Sequence, residues 1–121
     1  MRLQGRVAWI TGAAQGLGEA LAYRLAQEGC TGLALSDLQV ERLTEVARAV
    51  HAQHPHCQVV ALPCDVRREV EVVRAAEQIA QQFGRLDILI ANAGVIHSAE
   101  LTEMSLEQWQ WQIDVNLTGY F

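Results

Sequence analysis

The sequence contains no lysine. All nine of its basic residues are arginine, set against fourteen acidic ones, for a formal charge of −5 at pH 7. That balance removes the electrostatic case for binding nucleic acid or an anionic membrane. No apolar run approaches the roughly 20 residues that span a bilayer. The opening MRLQGRVAWITGAAQG faintly resembles a signal peptide, but its apolar stretch is too short and leads straight into a glycine motif. A cytoplasmic protein is therefore expected. Cysteine is sparse: Cys30, Cys57 and Cys64 are an odd set without CxxC spacing, which points to free buried thiols rather than a disulfide or zinc site. Linkers, internal repeats and low-complexity tracts are missing. Half the residues are hydrophobic and evenly spread, so the 121 residues read as one globular domain or part of one, short for a complete α/β enzyme.

What is present is alternation. Val7 to Ile10, Leu33 to Leu35, Val59 to Leu62 and Leu86 to Ala91 are short apolar runs suited to strands covered on both faces. Between them lie helical stripes: Leu17, Leu21 and Leu25 up to Gly29; Val40, Leu43, Ala47 and Val50, ending before His54 and Pro55; then Val66, Val70, Val73, Ala80 and Phe83, closed by Gly84. Strands joined by helical crossovers pair in parallel, which predicts an α/β, doubly wound, Rossmann-type sheet. A last helix begins at Ser105, where SLEQ fits a capping box, with Leu106, Trp109, Ile113 and Leu117 along one face.

Where the first strand hands over to the first helix the sequence reads ITGAAQGLG. A helix start there presents unpaired N–H groups and the positive end of its dipole, suited to a pyrophosphate. Gly12 allows the sharp turn, Gly16 leaves the backbone open to a phosphate, and Gly18 lets the helix sit close to the sheet. A structural tight turn is the plainer reading of the same glycines. Asp37 ends the second strand. It can accept both ribose hydroxyls of an adenosine and repel a 2′-phosphate, or it can cap the helix that follows. No basic residue lies in the glycine turn or directly after Asp37, so NAD is favoured over NADP, with Arg42 as the one cation near enough to turn toward a 2′-phosphate. Asp65, ending the third strand, lies beside the adenine end of such a crevice or caps the third helix.

TGAAQGLG, Asp37, CDV at 64–66, NAG at 92–94 and VNLTG at 115–119 together resemble the short-chain dehydrogenase/reductase family, in its classical branch, in order and from Val7 to the last residue. The resemblance implies hydride transfer between a nicotinamide cofactor and a small-molecule alcohol or carbonyl. It implies that Thr11, Gly12, Gln15, Gly16, Leu17 and Gly18 surround the pyrophosphate and adjoining ribose. Asp65 would bind the adenine amino group with Val66 contributing backbone, and Asn92, Ala93 and Gly94 would form a floor beneath the cofactor. Asn116 would match the asparagine that distorts its helix and holds a water of the proton relay. Ala91 stands where the family more often has asparagine.

The family's acid–base pair is a tyrosine followed four residues later by a lysine, aided by a serine. A phenol near its ordinary pKa of about 10 is a poor proton acceptor at neutral pH without that lysine. This sequence has no YxxxK; Tyr23 lies within the first helix and Tyr120 is penultimate. The expectation is a domain at 1–121 that carries the cofactor-binding part, with the sheet stopping after its fourth strand and part of the next helix. Two competing readings are a non-catalytic NAD-binding module and an inactive remnant. His51, His54 and His56 read as a polar turn more readily than a metal site. Trp109 and Trp111 read as packing residues on a helix that family dimers commonly use, which would make a homo-oligomer.

Overall fold

Every strand of the sheet is short enough, and every connection long enough, for the chain to return to the same end before pairing. The protein is described by a computed structural model covering residues 1–121. Its elements run β1 (Val7–Thr11), α1 (Gly16–Gln27), β2 (Gly32–Asp37), α2 (Val40–Gln53), β3 (Gln58–Pro63), α3 (Glu69–Phe83), β4 (Ile88–Ile90) and α4 (Leu106–Asn116), closing in a 3-10 turn at Thr118–Tyr120. The sheet is parallel throughout, in the order β3-β2-β1-β4. The first two crossovers step outward on one side of β1, and the third carries the chain back to its other side. The strand order therefore reverses between β1 and β4, and the chain ends diverge there to leave a crevice.

Alternation along the strands sorts the core into two layers. Ala8, Ile10, Leu33 and Leu35 face α1 and α2, while Trp9, Ala34 and Leu62 face α3 with Ala75 and Ile79. Trp9 brings a polar group into the second layer and satisfies it there, its indole N–H donating to Ser36 Oγ at 2.9 Å. Ile10, Leu33 and Leu35 are wholly buried, and truncating any one to alanine would cost about 2–5 kcal/mol. All three cysteines are buried and unpaired. Burial pushes the Cys57 thiol up to about 12, which makes it a packing group and not a nucleophile.

Three of the expected helical faces differ from those observed. In α1 the buried stripe is Gly18, Ala22 and Ala26, not Leu17, Leu21 and Leu25. Small residues let this helix lie close against the sheet, and the leucines flank the contact or, as with Leu17, project into solvent. In α3 the stripe is Val72, Ala75, Ile79 and Phe83, while Val70 and Val73 face outward and Val66 precedes the helix. In α4 only Val115 is buried, and Leu106, Trp109 and Leu117 are exposed. The fourth strand is shorter than its apolar run, Ile88–Ile90, and Leu89 on its α3-side face is 58% exposed. Helix boundaries fared better. Gly84 caps α3 in the left-handed conformation, and Ser105 and Gln108 form the reciprocal capping box at α4.

At the opposite end of the sheet from the crevice, Asp87 fastens β4 to β1. Its carboxylate accepts from Val7 N at 2.9 Å, from both arms of the Arg85 fork at 2.9 and 2.6 Å, and from Arg6 at 3.3 Å. The Arg85 guanidinium, helped by the Val7 N–H, holds this carboxyl at about 2, below its ordinary 3.8. A depressed folded-state pKa contributes stability that is complete above the ordinary value and lost as pH falls through the folded one. Asp87→Asn should therefore lower the urea midpoint at pH 7. The gap from wild type should shrink below about pH 4 and close near pH 2, as read by denaturation at stepped pH.

Candidate functional site

The turn leaving β1 is shaped by three glycines with three different jobs. At Gly12 φ is +66°, and a Cβ would lie 2.8 Å from Ala93 Cα, so both conformation and proximity exclude a side chain. At Gly18 a Cβ would run into the Gly12 carbonyl and stand 2.7 Å from Asn92 Nδ2, so its absence lets α1 seat against the turn. At Gly16 φ is +58°, but nothing lies within 4 Å of the missing Cβ. The space above Gly16 is open. Gln15, the residue before α1, is extended and offers no side-chain cap. The first amides of the helix are left for a ligand or water to satisfy, at the positive end of the dipole.

The turn is sewn to the end of β4. Thr11 Oγ1 accepts from the backbone N–H groups of Asn92 and Ala93, both at 3.0 Å. In return, Asn92 Nδ2 donates to the carbonyls of Thr11 and Gly12, both at 3.1 Å. Asp37 ties the same turn to β2: one carboxylate oxygen accepts from Ala14 N and the other from Gln39 N, each at 3.0 Å. The capping and site readings of Asp37 are thus compatible. Its oxygens retain further lone pairs beside the crevice.

A cleft of about 400 Å³ opens over this arrangement, within the range of small-molecule sites. It brings together Gly12, Gln15, Gly16, Asp37, Asp65, Val66, Asn92, Ala93 and Gly94. It does not include every residue expected. Thr11 and Gly18 are buried behind the turn as fasteners, and Leu17 is 67% exposed outside it. Arg42 lies elsewhere, in an open groove between α1 and α2 with Glu19 and Glu45. Asp65 is in place, but its carboxylate is occupied. Arg67 donates through its backbone N–H and its fork, the shortest contact being 2.7 Å. The fork holds the Asp65 carboxyl below the usual carboxylate range, and any further donor would share the carboxylate with Arg67.

Residues that sequence reasoning missed come from loops and from α4: Leu38, Cys64, Trp111 and Val115 also line the cleft. The spacing of Trp111 and Val115, one turn apart, was the available signal. Asn116 lies off the cleft as the last residue of α4. Its amide accepts from Val95 N at 2.8 Å and donates to Val95 O at 2.7 Å. One turn earlier Gln112 does the same with His97, at 3.1 and 3.3 Å. The two side chains grip the segment after β4 as a neighbouring strand would. The helix gives way to the 3-10 turn directly after Asn116. His51 and His56 each donate to a backbone carbonyl, of Cys57 and Ala26, and no group of His, Cys, Asp and Glu converges as metal ligands.

Order reversal, bare turn and helices on both faces define a Rossmann-type α/β fold. The chain belongs to the short-chain dehydrogenase family, whose model matches residues 6–121. An NAD-dependent oxidoreductase of Mycobacterium tuberculosis is 42% identical, over 97% of this chain and 46% of its own length. Among solved structures, a short-chain dehydrogenase/reductase from Burkholderia phymatum in complex with NAD superposes with a TM-score of 0.93 at 32% identity, covering 99% of this chain and 42% of that one. L-sorbose reductase from Gluconobacter frateurii, complexed with NADPH and L-sorbose, gives 0.92 at 32% identity, covering 99% and 45%. The chain spans about half the length of these relatives.

The glycine roles separate in stability measurements. Gly18→Ala, which meets backbone, should cost about 2–3 kcal/mol in urea denaturation. Gly16→Ala, strained only by its positive φ, should cost about 1 kcal/mol.

Proposed function

We propose that residues 1–121 form the nucleotide-binding part of an NAD(P)-dependent oxidoreductase acting on an alcohol or carbonyl, and that the dinucleotide lies in the cleft at the β1/β4 crevice. The observation that carries this reading is the uncapped start of α1 beneath the open space at Gly16. The pyrophosphate would rest on the amides of that first turn. Gln15 and Gly12 would flank it, and Thr11 and Gly18 would hold the turn from behind. Asp37 would accept the adenosine ribose hydroxyls with its remaining lone pairs, and its charge opposes a 2′-phosphate. With Arg42 outside the cleft, NAD is the preferred form. Asn92, Ala93 and Gly94 would lie under the ribose at the nicotinamide side, and Val66 would flank the base. Asn116 would act through Val95, setting the backbone beside that floor.

A bound nicotinamide supplies the hydride acceptor or donor. What the 121 residues do not supply is a lysine-assisted tyrosine, because there is no lysine among them. That observation favours, for these residues taken alone, binding without turnover. No helix is long and apolar enough to cross a membrane. Three free thiols suit a reducing compartment such as the cytoplasm. The exposed Leu106 and Trp109 on α4, with Leu117 just beyond its end, suit a contact with a second subunit.

Titration with NADH, followed by nicotinamide fluorescence, tests the reading. NADH should saturate the chain and bind at least tenfold more tightly than NADPH. Asp37→Asn keeps an oxygen for Ala14 N but removes the charge, and should narrow that preference. Gly16→Val should abolish binding of both. A folded chain with no saturable signal would sink the proposal, as would measurable alcohol oxidation by the 121 residues for the claim of binding without turnover.

A further inference from the structure

Three amide side chains follow one another at four-residue spacing along α4: Gln108, Gln112 and Asn116. All three bond to backbone. Gln108 spends its amide on the helix's own start, accepting from Ser105 N at 2.9 Å. Asn116 accepts from Val95 N at 2.8 Å and donates to Val95 O at 2.7 Å. Gln112 accepts from His97 N at 3.1 Å, and its Nε2 donates to His97 O at 3.3 Å and to Gln108 O at 3.4 Å. Four residues of helix advance about 6 Å, and two residues of extended chain cover about 6.6 Å. Two amides one turn apart on a helix therefore match alternate residues of a strand. Val95 and His97 each turn both N–H and C=O toward α4, as alternate residues of an extended chain do.

Packing does little for this stretch. Gly94, Ile96, His97 and Ser98 are exposed, Ile96 at 83%. Its course is set by hydrogen bonds: Thr11 holds Asn92 and Ala93 at one end, Asn116 holds Val95, and Gln112 holds His97 at the other. Val95 lines the cleft, and Ala93 and Gly94 precede it in the same wall. Without Gln112, the chain beyond Val95 would be free to pivot on the single amide of Asn116. We propose that Gln112 is a positioning residue for the nicotinamide half of the bound dinucleotide: by fixing His97, it holds Val95 and the floor at Ala93 and Gly94 in place beneath the ribose and the nicotinamide ring. The inference rests on the nucleotide-binding reading above. Gln112 does not line the cleft and acts through the backbone. The adenosine half is held from Asp37 and the glycine turn, and no hydrogen bond links Gln112 to either. Loss of its amide should therefore fall on one half of the ligand.

Isothermal titration calorimetry of the 121-residue chain with NADH and with ADP reads the two halves separately, since ADP keeps the adenosine and both phosphates and lacks the nicotinamide riboside. Gln112→Leu should weaken NADH about threefold to tenfold, the range of one net hydrogen bond, and leave ADP within about twofold. Gln112→Glu keeps an acceptor for His97 N and loses the donor to His97 O, so its NADH affinity should fall between those of wild type and Gln112→Leu. Amide hydrogen exchange at His97 should quicken in the leucine variant and less so in the glutamate one. A leucine variant that binds NADH as tightly as wild type, or that loses as much affinity for ADP as for NADH, overturns the inference while the nucleotide reading stands. Should Gln112→Leu fail to fold, Gln112→Glu decides in the same way: unchanged NADH affinity, or an equal loss for ADP, overturns it. If NADH does not bind the folded wild-type chain, the nucleotide reading falls and takes this inference with it.

Discussion

The seam between the ends of β1 and β4 is the constraint on which the site depends. One hydroxyl, on Thr11, satisfies two backbone N–H groups of the facing strand, and one amide, on Asn92, satisfies two carbonyls of the glycine turn. Groups at the ends of diverging strands have no ladder partners, and leaving them buried and unpaired would cost about 1–3 kcal/mol each. By pairing across the gap, the two side chains keep the strand ends together at the point where strand order reverses. Gly12 can then approach Ala93, Gly18 can approach Gly12, and the start of α1 is aimed over the crevice. Replacing either polar side chain with an apolar one would leave orphaned backbone at the site's centre.

From that seam the site is built outward by side chains that serve the backbone. Asp37 fixes the glycine turn to the start of α2, and Arg67 fixes Asp65 across the loop into α3. Gln112 and Asn116 supply N–H and C=O partners to His97 and Val95, where no fifth strand lies beside them in the 121 residues. Helix α4 thereby carries three functions on three sides. One side braces the segment after β4, another lines the cleft through Trp111 and Val115, and the third exposes leucines and Trp109. Only Val115 of this helix is buried, and four side-chain hydrogen bonds tie it to the segment after β4.

The strands, their parallel pairing and the glycine turn were legible in the sequence. Val7 to Ile10, Leu33 to Leu35 and Val59 to Leu62 are runs suited to a strand covered on both faces, and with Leu86 to Ala91 they fall at spacings that force crossovers. The capping box at Ser105 and the stop at Gly84 were equally local. Helix faces were less legible, because periodicity by leucine and valine names the largest residues and not the closest contact. In α1 the sheet wanted Gly18, Ala22 and Ala26, and in α3 valines occur on more than one side. The candidate site divided along the same line. Residues whose role is conformational were found, while the state of Asp65 and the placement of Trp111 were not.

By itself the sequence determined what short-range chemistry determines: where the chain extends, coils and turns, that a bare bend precedes the first helix, and that no lysine exists to assist a tyrosine. Only the tertiary structure decided which side chains meet. Arg67 pairs with the Asp65 carboxylate, and Trp111 lines the cleft while Trp109 is exposed. The physical reason is that such pairings depend on the rotation of one helix and the course of one loop, which are set by packing across the whole fold and leave no periodic trace in the residues themselves.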